Sequence, residues 1–153
     1  MDTAIAAAHV LAAAVWVGGT VALVFIAVPV ARRLTGEARA AALREMGRRW
    51  RPIGWGAVAV LVATGFSNAA GDGVFDGTAD GEFIAVFSVK MALFAALLVV
   101  AALHDFVLGP GLARQIREGR PQTLRPKLVL VGWASFALTI AVPVLGVVLA
   151  HLG

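Results

Sequence analysis

Four long apolar runs restrict what this chain can fold into. They cover about residues 4–31, 52–71, 83–108 and 127–152. The hydrocarbon core of a bilayer is about 30 Å thick, and about 20 consecutive apolar residues in a helix cross it. Each run reaches that length, and together they use most of the sequence. The sequence therefore predicts one transmembrane domain over residues 1–153 with four membrane-spanning helices.

The composition favours helices over a membrane β-barrel. Hydrophobic residues make up 60% of the chain, whereas soluble domains average roughly 45–50%. Barrel strands are short and alternate apolar with polar residues, and these runs are long and apolar on every side. Short connections between the runs predict an all-α, up-down four-helix bundle. The chain has no cysteine, which excludes disulfides, iron–sulfur clusters and thiolate metal sites.

The charged residues predict how the bundle is oriented. Seven arginines lie between the first two spans, and five basic residues lie between the last two. The middle connection has only acidic charges, at Asp72, Asp76, Asp80 and Glu82. Basic connections stay in the cytoplasm, so both termini are predicted outside, in a multi-pass protein of the plasma membrane, which in bacteria is the inner membrane. No nucleic-acid recognition motif accompanies the arginines, so they favour contact with anionic lipid headgroups of the bilayer.

Two further patterns concern the membrane boundaries. The stretch "GEARAAALREMGRRW" has an apolar residue at every fourth position of a basic helix, which predicts a helix that lies at the membrane surface or extends the first span. Trp50, Trp55 and Trp133 flank the cytoplasmic side and are predicted interfacial anchors. Trp16 falls near mid-span, where the indole N–H needs a hydrogen-bond partner.

Polar residues inside the spans are candidates for a functional site, because burying them in lipid is costly. In the predicted orientation His9, Asn68, Lys90 and His151 come from four different helices and lie in the outer third of the bundle. An imidazole and an amine on facing helices can hold a heme iron or a copper ion. His104 lies fourteen residues after Lys90 on the same helix face, about 21 Å away along the axis.

Simpler interpretations of these residues stay open. The Lys90 side chain can extend outward along its helix to the headgroups. His104 precedes Asp105 and can pair with it locally at a helix end. His151 is close to the end of the chain and can be an ordinary interfacial histidine.

Three motifs resemble a known family. A histidine precedes a tryptophan by seven residues in "HVLAAAVWVGG", a lysine lies inside the third span in "FSVKMALF", and "ALHDFVLGP" ends that span. Together they resemble the copper resistance D (CopD) family, which is distantly similar to the HemJ-type protoporphyrinogen oxidases, small four-helix membrane proteins with heme b. The HemJ-type resemblance implies that His9 and Lys90 serve heme binding and activity, with His104 as the second histidine.

Three hypotheses about function follow. The first is a membrane protein that binds heme b, with His9 as an axial ligand, Lys90 or His151 opposite, and Trp16 near the ring. It would transfer electrons or be a heme-dependent oxidoreductase with a small-molecule redox partner. The second is a copper-handling protein for uptake or resistance, with copper held by His9 and His151. The third is an accessory membrane subunit without a cofactor. Whether the chain forms a homo-oligomer stays open.

Overall fold

The computed structural model describes residues 3–152, and these form four long helices. Each helix is long and apolar enough to cross a membrane, and no strand occurs within residues 3–152. The all-helical prediction with four spanning helices is therefore confirmed, while the side that faces the cytoplasm stays a prediction. The helices are α1 (Thr3–Arg32), α2 (Gly36–Gly71), α3 (Gly81–Arg117) and α4 (Arg125–Leu152).

The helices pack as two antiparallel hairpins. α1 lies along α2, α3 lies along α4, and α1 also contacts α4. The connections are short, which forces consecutive helices to lie side by side. In the connection between α2 and α3, Gly73 and Gly77 adopt positive φ angles of 77° and 76°. Asp80 then caps α3, because its Oδ1 accepts a hydrogen bond from the Glu82 N–H at 3.1 Å.

The basic stretch of the sequence extends α2, so the expectation that it extends the first span is wrong, while its place at the membrane surface stays a prediction. The chain leaves the helical conformation at Thr35, which is extended, and at Gly36, which has a φ of 51°. From Gly36 the helix then continues to Gly71. On its exposed side Glu45 pairs with Arg48 and Arg49, each at 2.6 Å. Pairs three and four residues apart stabilise an exposed helix by a few tenths of a kcal/mol each.

Two of the helices contain a wider, π-helical turn. Leu23–Ala27 interrupts α1 and Leu103–Leu108 interrupts α3. Each turn is followed closely by a proline, Pro29 or Pro110, which has no N–H to donate to the regular helical pattern. π-helical turns are frequent at functional sites. The second of these turns contains His104.

The buried core lies in the middle of the bundle and receives side chains from all four helices. Leu97 of α3 is 3% exposed and is among its most buried members. Polar side chains lie on both sides of this core along the bundle axis. The core residues are Trp16, Ala57, Val58, Leu97, Ala101 and Val142.

Candidate functional site

Seven-residue spacings divide the interior of the bundle into three levels. On α3 the sequence places Lys90, Leu97 and His104 on one face, and α4 has small residues at the same spacing. A Cβ added to Gly146 would lie 3.5 Å from Lys90 Nζ, and one added to Gly132 would lie 3.5 Å from His104 Nε2. Seven residues of helix rise about 10 Å, so the levels are about that far apart. The outer level contains His9, Thr64, Gly65, Lys90 and Gly146; the middle level contains Trp16, Leu97 and Thr139; the inner level contains Trp55, His104, Asp105 and Gly132.

At the outer level a hydrogen bond determines which nitrogen of His9 is free. His9 Nδ1 lies 2.8 Å from Thr64 Oγ1, and the Thr64 hydroxyl donates its hydrogen to the Val60 carbonyl at 2.6 Å. Because a hydroxyl has one hydrogen, Thr64 Oγ1 accepts from His9, and Nδ1 carries the proton. Nε2 then keeps its lone pair, and it makes no hydrogen bond within residues 3–152.

Lys90 and Asn68 provide the other polar groups near His9. The charge of Lys90 lies close enough to act on His9, and that of Asp72 close enough to act on Lys90. Asn68 lies one turn outward from Thr64 on α2. Its Oδ1 is buried and has no hydrogen-bond partner in the part of the chain that the structure describes. A buried acceptor without a partner is costly, so this oxygen is suited to receive a donor or a cation.

His151 has a different environment from the other predicted site residues. Its side chain is exposed, and Nδ1 donates to the Val147 carbonyl of its own helix at 2.8 Å. No hydrogen bond links it to His9 or Lys90 among residues 3–152. The structure therefore brings His9 and Lys90 to one level, while His151 lies at the outer end of α4.

The middle level separates the outer and inner polar groups. Trp16 Nε1 donates to Thr139 Oγ1 at 3.2 Å, and these residues are 7% and 1% exposed. The expected partner for the Trp16 indole is therefore present. The Trp50 ring lies 6.2 Å from that of Trp16, and it packs against Gly19 so closely that a Cβ there would collide with it. Trp50 thus packs inside the bundle and is not the interfacial anchor that the sequence suggested, whereas Trp133 is 55% exposed.

The inner level is a connected polar cluster. His104 Nδ1 lies 3.0 Å from Asp105 Oδ1, so Nδ1 carries a hydrogen and the local pairing considered from the sequence is present. Asp105 Oδ2 accepts from Trp55 Nε1 at 3.2 Å, and the Asp105 carbonyl accepts from Arg51 at 2.6 Å. These bonds connect α2 to α3 and leave His104 Nε2 beside Gly132.

The three histidines share one chemical feature. In each of them Nδ1 is hydrogen-bonded, to a hydroxyl, a carboxylate or a carbonyl. Metal-binding histidines usually donate one ring N–H to such a group and bind through the other nitrogen. Within residues 3–152, however, no group of three or more His, Asp and Glu side chains is arranged to hold a metal ion.

The residues present fit heme only in part. Nε2 of His9 suits an axial ligand, since imidazole commonly holds heme iron. The porphyrin ring would also need a flat space between the helices. Inward of His9 that space is filled by Trp16, bonded to Thr139, and by Trp50 against Gly19. The structure thus offers a ligand atom, and the space inward of it is already occupied by these side chains.

Comparison with known families gives one result that identifies the chain. A model of the family described as CopD, copper resistance protein D, matches residues 44–150, which is more than half of the chain. The chain belongs to the CopD family. Within this CopD chain the match includes Asn68, Lys90 and His104, whereas His9 and Trp16 precede it. With its four apolar helices, it is a multi-pass protein of the plasma membrane. Comparisons with curated proteins and with solved structures gave no match.

Sequence reasoning missed several residues of this candidate site. Thr64 and Thr139 bond to the predicted site residues His9 and Trp16, but each is an ordinary residue in an apolar run. Trp55 bonds to Asp105, the neighbour of His104, although the sequence predicted it only as an interfacial anchor. One signal was available. Gly132, Thr139 and Gly146 repeat the seven-residue spacing of α3, and small residues at helix interfaces allow close packing in membranes.

Proposed function

We propose that the chain is a copper-handling protein of the plasma membrane, with copper as its cargo and His9 as the first protein ligand on the outer side. The observation that carries this proposal is the Nε2 lone pair of His9, which is free because Nδ1 donates to Thr64. Membership of a family named for copper resistance supports the choice of metal.

The chemistry of the outer level suits a transient copper site. Imidazole is a good ligand for copper, and Cu²⁺ binds nitrogen and oxygen ligands more tightly than the other divalent first-row metals. The unpartnered Asn68 Oδ1 is a second candidate donor. The positive charge of Lys90 opposes a cation held nearby. Such opposition suits transport, because a conducted ion must bind weakly enough to leave.

Equilibrium copper binding tests this function. The purified protein in detergent is titrated with Cu²⁺ against a weak competing chelator, together with His9→Ala and with His151→Ala as the matched control. His151 is also predicted on the outer side and has a bonded Nδ1, but it is exposed and has no hydrogen bond to His9 or Lys90 among residues 3–152. We expect His9→Ala to lose the tightest bound copper and His151→Ala to retain it.

Two results would overturn the proposal. In the first, the wild-type protein holds no copper in competition with the weak chelator. In the second, His9→Ala retains the tightest site while His151→Ala loses it. Helical content by circular dichroism is measured for each variant, so that loss of folding is distinguished from loss of a ligand.

Heme b binding is a second candidate, and the proximity of His9 and Lys90 favours it. His9 has a free Nε2, and Lys90 comes from another helix and lies close enough for its charge to act on His9. Both side chains could serve as iron ligands, Lys90 only with its amine neutral. Protein purified from heme-replete cells distinguishes the two functions. A Soret band that His9→Ala abolishes would favour heme over copper, and a colourless protein that binds copper would reject heme.

A further inference from the structure

An open groove on the membrane-facing side of α4 is not explained by the copper proposal. It has a volume of about 450 Å³ and is lined by Arg125, Pro126, Val129, Leu130 and Trp133. Its walls are almost wholly apolar except at Arg125, which begins α4. One end of the groove is therefore cationic, and the rest is apolar.

The aromatic side chains beside the groove connect α4 with α1. The Trp133 ring packs edge-on against Phe136 at 5.8 Å, and Phe136 packs edge-on against Phe25 at 5.5 Å. This row connects α1 and α4 in the halves that adjoin the arginine-rich connections. The groove thus lies beside a row of three aromatic rings, of which Trp133 lines it.

Charge complementarity indicates what occupies the groove. Neither α1 nor α4 contains an acidic residue between Thr3 and Arg32 or between Arg125 and Leu152. At the end of the bundle that has the arginine-rich connections, each carboxylate already has a partner within residues 3–152. None of these partners is Arg125. The pairs are Glu37 with Arg44, Glu45 with Arg48 and Arg49, Glu118 with Arg120, and Asp105 with His104.

We infer that this groove is a binding site for an anionic phospholipid of the leaflet that contacts the arginine-rich connections. The lipid phosphate lies on Arg125, and an acyl chain runs along Val129, Leu130 and Trp133. Basic pockets at the ends of membrane helices bind anionic headgroups, and arginine is suited to phosphate through its planar pair of N–H donors. The site is independent of His9 and of copper.

Quenching of Trp133 fluorescence by brominated lipids tests the inference. The full chain is reconstituted in vesicles with increasing fractions of brominated phosphatidylglycerol or brominated phosphatidylcholine. Trp133→Phe is measured in parallel, so that the signal of the other tryptophans can be subtracted. Trp133 is 55% exposed, whereas Trp16 is buried. The fluorescence of Trp133 is therefore accessible to a lipid-borne quencher.

The chain offers a matched control for the charge. Lys127 is exposed at the same end of α4 but is two residues from Arg125, which places it on another helix face. We expect Trp133 to prefer the anionic over the zwitterionic quencher by about five-fold, the amount that one basic residue near an anionic surface gives. Arg125→Gln should remove this preference, and Lys127→Gln should retain it.

Three results would overturn the inference. Trp133 could be quenched equally by both lipids in the wild type. Arg125→Gln and Lys127→Gln could reduce the preference equally, which would indicate attraction to the surface as a whole. Weak quenching by both lipids would indicate that protein, such as a second copy of the chain, covers the groove.

Discussion

Replacing Thr139 by valine tests whether the hydrogen bond at the middle level stabilises the bundle. Valine has nearly the shape of threonine but cannot accept from Trp16 Nε1, which lies 3.2 Å from Thr139 Oγ1. Since the two residues are 1% and 7% exposed, water cannot replace the lost partner. A buried donor left without a partner costs about 1–3 kcal/mol, whereas hydrogen bonds between membrane helices average about 0.6 kcal/mol and reach about 1.7. We therefore expect Thr139→Val to lower the free energy of unfolding by about 1–2 kcal/mol.

A double-mutant cycle isolates this hydrogen bond. Trp16→Phe removes the indole N–H, so Thr139→Val should cost little in that background, and the coupling between the two sites should be about 1 kcal/mol. Unfolding is followed by circular dichroism as sodium dodecyl sulfate is added to the protein in a mild detergent. Independent sites are additive within about 0.3–0.5 kcal/mol. A coupling no larger than that would refute the assigned bond.

Three further predictions concern contacts at other positions. Gly19→Ala should destabilise the protein by about 1–3 kcal/mol, as overpacking does, because the added Cβ collides with the Trp50 ring. An unchanged free energy of unfolding in detergent would contradict this contact. Thr64→Val should weaken copper binding about 10–100-fold, the usual cost of losing the group that orients a metal-binding histidine. An unchanged copper affinity would show that Thr64 does not orient His9 for the metal. The side-chain and backbone hydrogen bonds from Thr78 hold the pKa of Asp76 below its ordinary value. These bonds therefore stabilise the fold fully above the ordinary pKa, and their stabilisation is lost as the pH falls through the lowered pKa of Asp76. Thr78→Val removes the hydroxyl bond and should raise the pKa of Asp76, measured by the carboxyl ¹³C shift. A pKa that does not move would exclude that hydroxyl bond.

The sequence predicted the helices of this fold well because the bilayer imposes a simple length requirement. A run of about 20 apolar residues must form a helix in lipid, where unpaired backbone groups are costly. The faces of α3 were also predictable, since Lys90, Leu97 and His104 repeat every seven residues. The helix limits were less predictable. The basic residues after Gly36 continue α2 because pairs such as Glu45 with Arg48 support a helix outside the apolar run.

The contacts between helices could not be predicted from one sequence. Lipid is as apolar as a helix interior, so hydropathy does not tell which face of a membrane helix meets a neighbour. The bond of Thr64 to His9 and that of Thr139 to Trp16 depend on that rotation. For the same reason His151 was predicted to share a site with His9 from their similar depth in the membrane alone. In the structure His151 bonds to Val147 of its own helix.

The most direct test of the central claim is pulsed electron paramagnetic resonance of Cu²⁺ bound to the purified protein. When an imidazole binds copper through one nitrogen, the remote ring nitrogen modulates the spin echo. Our account predicts this modulation in the wild type and in a His104→Ala, His151→Ala double variant, and its loss in His9→Ala. A wild-type protein without imidazole modulation, or a His9→Ala protein that retains it, would contradict the assignment of His9 as the copper ligand.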